Sequence, residues 1–332
     1  MNNSPPTSPK GWRFRLIPKG GGLTLTALLV TGGLSWAAAG DGDSPAMEQI
    51  GGVPLWVWPL GLFVFTVLLG VVAVLGGIGG SVLFVPLVSG FLPFIHIDFV
   101  RGAGLMVALT GALSAGPGLL SKGLADLRLA IPIAVITSSA SILGAMIGLA
   151  MPAQIVQILL GVMILGMSVF MLVVKTAETP PDHPPDKLAR WLAIRGTVYD
   201  MEKKADVVWN PRRMGRGLFL FIGVGLMAGM FGIGAGWANV PVLNLVMAIP
   251  LKVAVATSYF LLAITDTTAA WIYLNHGAVL PLITVPSVLG IMVGARFGAR
   301  LLFLARPRVI RRVVIVVLLL AGIRALMKGF GI

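Results

Sequence analysis

Apolar runs parted by short polar or glycine and proline breaks fill the chain from Leu55 to its end. They lie at about 55–76, 80–95, 102–120, 129–150 and 154–174. After a polar stretch they resume at about 217–235, 237–250, 254–274, 278–304 and 309–327. About 20 apolar residues in helical form cross a hydrocarbon layer about 30 Å thick, so the pattern predicts membrane-spanning helices. The second and seventh runs are short, and each begins at a cluster of glycines and has a proline a few residues on, a combination that breaks a helix.

The two breaks are copies. The first reads Gly77-Ile78-Gly79-Gly80-Ser81-Val82-Leu83-Phe84-Val85-Pro86 and the second Gly232-Ile233-Gly234-Ala235-Gly236-Trp237-Ala238-Asn239-Val240-Pro241, a constant offset of 155 residues (232 − 77). The same offset pairs Gly70 with Gly225, Val100 with Val255, Thr110 with Thr265, Pro152 with Pro307 and Ile155 with Ile310. The chain is therefore a duplication. Five runs per half is an odd number, which places the halves in opposite orientations. The expected fold is an all-α polytopic membrane protein of two inverted five-helix repeats with broken helices at the centre, plus an extra N-terminal hydrophobic segment. Its parts are residues 1–54, a basic N-terminus, hydrophobic segment and acidic outer loop; 55–175, the first repeat; 176–216, a cytoplasmic connector; and 217–332, the second repeat.

Charge supports that topology. The chain has 25 Lys and Arg against 12 Asp and Glu, a net +13, which alone would suit nucleic acid. With 57% hydrophobic residues and a mean hydropathy of +0.96, the cations instead read as positive-inside loops, and no nucleic-acid partner is expected. Nine of them fall between Lys175 and Arg216, in the connector, and Lys122, Arg128, Lys252 and a cluster from Arg300 to Arg312 fall on the same predicted side. Arg101 is the one misplaced charge, and Arg296 with Arg300 is read as snorkelling to lipid. The basic N-terminus (Lys10, Arg13, Arg15, Lys19) precedes an apolar run from Leu23 to Ala39. This run fits a retained anchor helix, while Ala37-Ala38-Ala39 before Gly40-Asp41 also fits a signal-peptidase site. Asp41, Asp43 and Glu48 then face outward. In the connector, Pro180-Pro181-Asp182-His183-Pro184-Pro185 predicts a stiff extended segment. A short amphipathic helix follows, with Leu188, Trp191, Leu192 and Ile194 on one side and Lys187, Arg190 and Arg195 on the other, lying on the inner leaflet.

There is no cysteine, which excludes disulfides and thiol relays, and His96, His183 and His276 stand apart, with no metal or haem spacing. No cofactor and no metal are expected, and no acid, histidine or thiol constellation points to an enzyme. Unwound glycine backbone exposes N–H groups, and a helix starting beyond it adds the positive end of its dipole, which together suit an anion at mid-membrane. The candidate binding residues are Gly77, Gly79, Gly80 and Ser81 from one half and Gly232, Gly234, Gly236, Asn239, Thr257 and Ser258 from the other. The same glycines also suit close helix packing, and Ser and Thr also bond their own helix. Candidates for coupling or gating are Asp266, a carboxyl inside an apolar run, the matched Thr110 and Thr265, and Arg101. Asp266 either exchanges a proton or is held by neighbouring threonines or Arg101. Its counterpart 155 residues earlier is Gly111. Lys252 can attract an anion at the inner mouth, and His276 reads as a loop residue.

The duplicated Gly-Ile-Gly motifs, each followed by a run with a Thr or Ser cluster, resemble the TauE/SafE sulfite exporter family of membrane permeases. The likeness covers roughly Leu55 to the end. It implies a secondary transporter of sulfite, thiosulfate, an organosulfonate or a related small anion, working in the inner membrane of a bacterium among its lipids. A passive anion channel and an integral membrane assembly factor or enzyme are the alternatives.

Overall fold

The structure, a computed structural model, describes residues 49–50, 53–54, 57–76, 79–92, 95–120, 126–173, 186–192, 194, 196–200, 205–301 and 307–331. Expectations about the N-terminal 48 residues, Gly77, Lys122, Pro180–Pro185 and Arg306 fall outside them. The described residues belong to one compact unit, Ala46–Ile332. After two short strands, β1 (Gln49–Ile50) and β2 (Val53–Pro54), the first half comprises α1 (Val57–Gly76), α2 (Ser81–Phe91), α3 (Ile97–Leu120), α4 (Leu127–Ala150) and α5 (Ala153–Val173). The second comprises α7 (Met214–Phe231), α8 (Gly236–Pro241), α9 (Leu251–Asn275), α10 (Pro281–Leu301) and α11 (Pro307–Gly329). Among the described residues, seven helices are long and apolar enough to cross a membrane. The two helices that follow the glycine breaks are short, as expected. Past Pro241, which has no N–H to give, the ladder widens into a π turn over Val242–Val246, closed by Met247 N–H on Val242 O (3.1 Å).

Glycines set the helix pairs. Gly225 and Gly229 of α7 leave no room for a β-carbon beside Thr137 O and Ser141 O of α4, and Gly144 and Gly148 of α4 none beside Leu226 O and Met230 O. Two Gly-x-x-x-Gly stripes thus mesh along a parallel pair. Likewise Gly290, Gly294 and Gly298 of α10 fit against Phe63, Val67 and Val71 of α1, again running parallel. α11 runs antiparallel to α5, with Gly329 at Ile158 and Gly322 at Leu165, and α9 runs antiparallel to α3, with Gly116 at Tyr259 and Arg101 at Tyr273. These pairings define a connector end, where α5 finishes and α7 begins, and a far end, where α3 and α10 begin and α4, α7 and α9 finish.

α1 starts at the far end. α2 starts deep in the bundle and returns to the far end, where Arg324 Nε donates to Gly90 O (2.7 Å) and Lys328 Nζ to Ser89 O (3.0 Å). These two α11 cations satisfy the last carbonyls of α2 and its negative dipole end. They correct the expectation that Arg101 is the single misplaced charge.

The connector differs from expectation. Its helix, α6, spans only Lys187–Trp191, with Leu192 N–H on Leu188 O and Ile194 N–H on Ala189 O closing it. Ala189 and Ile194 pack into the core beside Met214 and Phe221, while Trp191 is 82% exposed, so the apolar residues do not share one side. A five-residue helix is too short to present a stripe. An antiparallel hairpin follows, β3 (Gly196–Asp200) with β4 (Ala205–Trp209), registered from Gly196↔Trp209 to Asp200↔Ala205.

Candidate functional site

The two glycine breaks meet in the middle of the bundle. Gly79 (φ +78°), Gly232 (φ +68°) and Gly234 (φ +66°) take left-handed conformations open to glycine at little cost, which lets the chain reverse between full-length and short helices. A β-carbon on Gly79 would lie 4.0 Å from Gly236 Cα, and Ser81 Oγ donates a hydrogen bond to Ile233 O across the breaks. α2 and α8 both begin here, and neither starts with a side-chain cap. The first N–H groups of each helix are therefore directed at the crossing without an intrahelical partner.

Asp266 of α9 faces this crossing. Fully buried, it lies against the Ala235 amide, yet neither carboxyl oxygen reaches a hydrogen bond of full geometry. A β-carbon on Gly234 would stand 3.0 Å from Asp266 Oδ2 and 3.1 Å from Ser81 Oγ, so glycine here keeps the carboxyl, the hydroxyl and the unwound backbone together. Asn239, on α8, is fully buried with both amide atoms unpartnered. Among the described residues Thr265 Oγ1 and Trp237 Nε1 also lack a partner, as does Thr257 Oγ1, farther along α9 toward the connector end. Buried polar groups without partners are costly, and so many around two helix starts is the arrangement expected of a site awaiting a polar solute.

A cleft opens from the crossing, lined by Gly79, Gly80, Ser81 and Gly236 from the breaks and by Ala108, Tyr259 and Leu262 beyond them. Its free volume of about 10 Å³ admits about one water.

Not every expected residue arrives at the crossing. Gly232 instead ends α7, with its N–H on Ala228 O (3.1 Å) and its α-carbon against the Arg101 backbone. Thr257 and Ser258 are buried two to three turns nearer the connector end than Asp266. Thr110 donates to Met106 O of its own helix (2.7 Å), whereas its counterpart Thr265 has no partner. His276 Nδ1 lies 2.9 Å from Ile272 O on an exposed turn. Thr267 bonds Ala263 O and Thr268 bonds Thr265 O, so neither threonine holds Asp266.

Arg101 does not pair with Asp266 either. Buried at the far end (0% exposed), it donates to Met230 O (2.8 Å) and Gly148 O (3.1 Å), pairs with Asp98 and lies 5.7 Å from the centre of the Tyr273 ring. Its charge therefore rests on the carbonyl ends of α4 and α7. Tyr259, Trp237, Asp98 and Tyr273 are functional candidates that pattern reading missed. Tyr259, Leu262 and Asp266 have the i, i+3, i+7 spacing of one helical face, and Asp98 with Arg101 has i, i+3 spacing, so both signals are present in the sequence.

Comparison with known proteins agrees with this architecture. The family described as "Sulfite exporter TauE/SafE" matches residues 62–325. The chain is similar to the "Probable membrane transporter protein YunE" of Bacillus subtilis (strain 168), with 24% identity over 278 residues that cover 80% of this chain and 98% of that protein. No solved structure gives a significant match.

Proposed function

Given that the chain belongs to the sulfite exporter TauE/SafE family and is a multi-pass membrane transporter, we propose that it carries a small sulfur-containing anion, such as sulfite, thiosulfate or an organosulfonate, across the bacterial inner membrane, driven by the proton gradient. The observation that carries this reading is the set of buried unpartnered groups around the starts of α2 and α8. The amides of Gly80 and Ser81, the first turn of α8 and the Asn239 amide replace the hydration shell of the anion with fixed donors.

An ionised Asp266 beside that anion would repel it, so a proton on Asp266 accompanies the anion and both leave together. The antiparallel sense of α3 and α9, and of α5 and α11, supports two inverted repeats, with the basic connector on the cytoplasmic side. Rocking one repeat against the other then exposes the crossing to each face in turn. A cleft with room for about one water at the crossing favours such a carrier over an open channel.

The test is flux in proteoliposomes across sulfite, thiosulfate, sulfoacetate and taurine, with and without a protonophore. A carrier accumulates its anion and loses that ability with the protonophore; flux that only dissipates a gradient and ignores the protonophore identifies a channel. Asn239→Ala removes a donor with no partner inside the protein, so it leaves stability nearly unchanged. Anion binding should weaken about tenfold, the loss of one hydrogen bond to a charged group. Normal flux by this variant removes Asn239 from the site.

A further inference from the structure

We propose that Arg101, Asp98 and Tyr273 form a barrier that closes the site toward the far end and must open for the anion to pass that way. This deepens the transporter reading and rests on it. The barrier ties both halves together. From α3, Arg101 reaches the last carbonyls of α4 (Gly148) and α7 (Met230), and Tyr273 of α9 donates to Gly229 O (3.0 Å) and Met230 O (3.3 Å) while its ring faces the guanidinium. Asp98 neutralises the cation from the next turn of α3. Behind this knot, one turn toward the site, Leu105 is fully buried against Ala145, Ala269 and Ala270, a dry plug.

The other direction is built differently. Cleft-lining residues past the breaks, Val74 of α1, Ala112 of α3, Tyr259 of α9 and Ala295 of α10, all lie on the connector side of the crossing. The duplication offset carries Asp98 to Val253 and Arg101 to Ala256, and carries Tyr273 back to Gly118. None of these three can rebuild the ion pair or the tyrosine bonds. The duplicated positions therefore do not repeat this barrier, and release toward the far end requires Arg101 to leave the α4 and α7 carbonyls. An arginine freed in this way meets the outgoing anion.

The chain has no cysteine, so single cysteines report access without interference. Leu105→Cys and Ala112→Cys are labelled with a membrane-impermeant thiol reagent in right-side-out and inside-out vesicles, each alone and combined with Asp98→Asn or Tyr273→Phe. The expected result is slow labelling of Leu105→Cys and Ala112→Cys alike in the unaltered barrier, since both positions are buried (0% and 2% exposed). Asp98→Asn should speed Leu105→Cys labelling from the far face about tenfold, because the carboxylate charge that holds Arg101 is lost from the closed state only. Tyr273→Phe keeps the ring over Arg101 and removes only the hydroxyl, so it preserves the packing and serves if Asp98→Asn fails to fold. Leu105→Cys labelling as fast in the unaltered chain as in both variants, or rates unchanged by both, overturns the barrier. Labelling is read without any anion, so a negative result here leaves the anion site standing, and loss of sulfur-anion flux with normal labelling strikes only that site.

Discussion

Asp266→Asn should abolish accumulation driven by a pH gradient while leaving exchange of anion across the membrane intact. The carboxyl is fully buried at the meeting point of the two breaks, and among the described residues no cation pairs with it, since Arg101 is committed to Asp98 and to the carbonyls of Gly148 and Met230. An amide at this position keeps the size and loses the titratable proton, so substrate and gradient are no longer linked. A coupling free energy of ~1–3 kcal/mol corresponds to a loss of about 5- to 150-fold in the accumulation ratio. The measurement is uptake into proteoliposomes after a pH jump, beside counterflow at equal pH on the two sides. A variant that still accumulates anion in response to the jump removes Asp266 from coupling.

Gly229→Leu should prevent the folded protein from forming. Gly225 and Gly229 of α7 interlock with Gly144 and Gly148 of α4, and a β-carbon on Gly229 would overlap Ser141 O and crowd Ala145 N, which are backbone atoms that no rotamer change can move. The helices must separate along a pair that also anchors Arg101 and Tyr273. We expect a cost of about 3 kcal/mol or more, at the upper end of overpacking effects. Fluorescence-detected gel filtration of the detergent-solubilised protein reads it as loss of the monodisperse peak. Gly166→Leu is the control, because nothing lies near that glycine, and it should retain the peak. Equal behaviour of the two variants contradicts the meshed-glycine packing.

Much of this architecture is legible in the residues because bilayer physics leaves few choices. Runs of about twenty apolar residues must be helices, and a glycine cluster with a proline beyond it must break one. Hence the positions of the spanning helices and of the two short ones could be read around Gly77–Pro86 and Gly232–Pro241. Contacts between distant segments could not be read. The hydrogen-bond partners of Arg101 come from residues up to 129 positions away (230 − 101), and only folding shows that Met230 O and Gly148 O receive its charge. Gly232 caps the end of α7 and packs against the Arg101 backbone, a placement that the motif alone does not give. The hairpin around Val198 and Val207 had its own β-branched signal, hidden within a segment whose charges suggested a surface helix.

The meeting of the two breaks is tested most directly by joining them. In the cysteine-free chain, Gly79→Cys with Gly236→Cys places thiols on backbones close enough for a disulfide, since a β-carbon at Gly79 stands 4.0 Å from Gly236 Cα. Oxidation in membranes, followed by proteolytic cleavage in the connector, should keep the two halves together on a non-reducing gel and stop anion flux, with both effects reversed by reductant. Halves that separate after oxidation, or a cross-link that leaves flux unchanged, would contradict a shared site at the crossing.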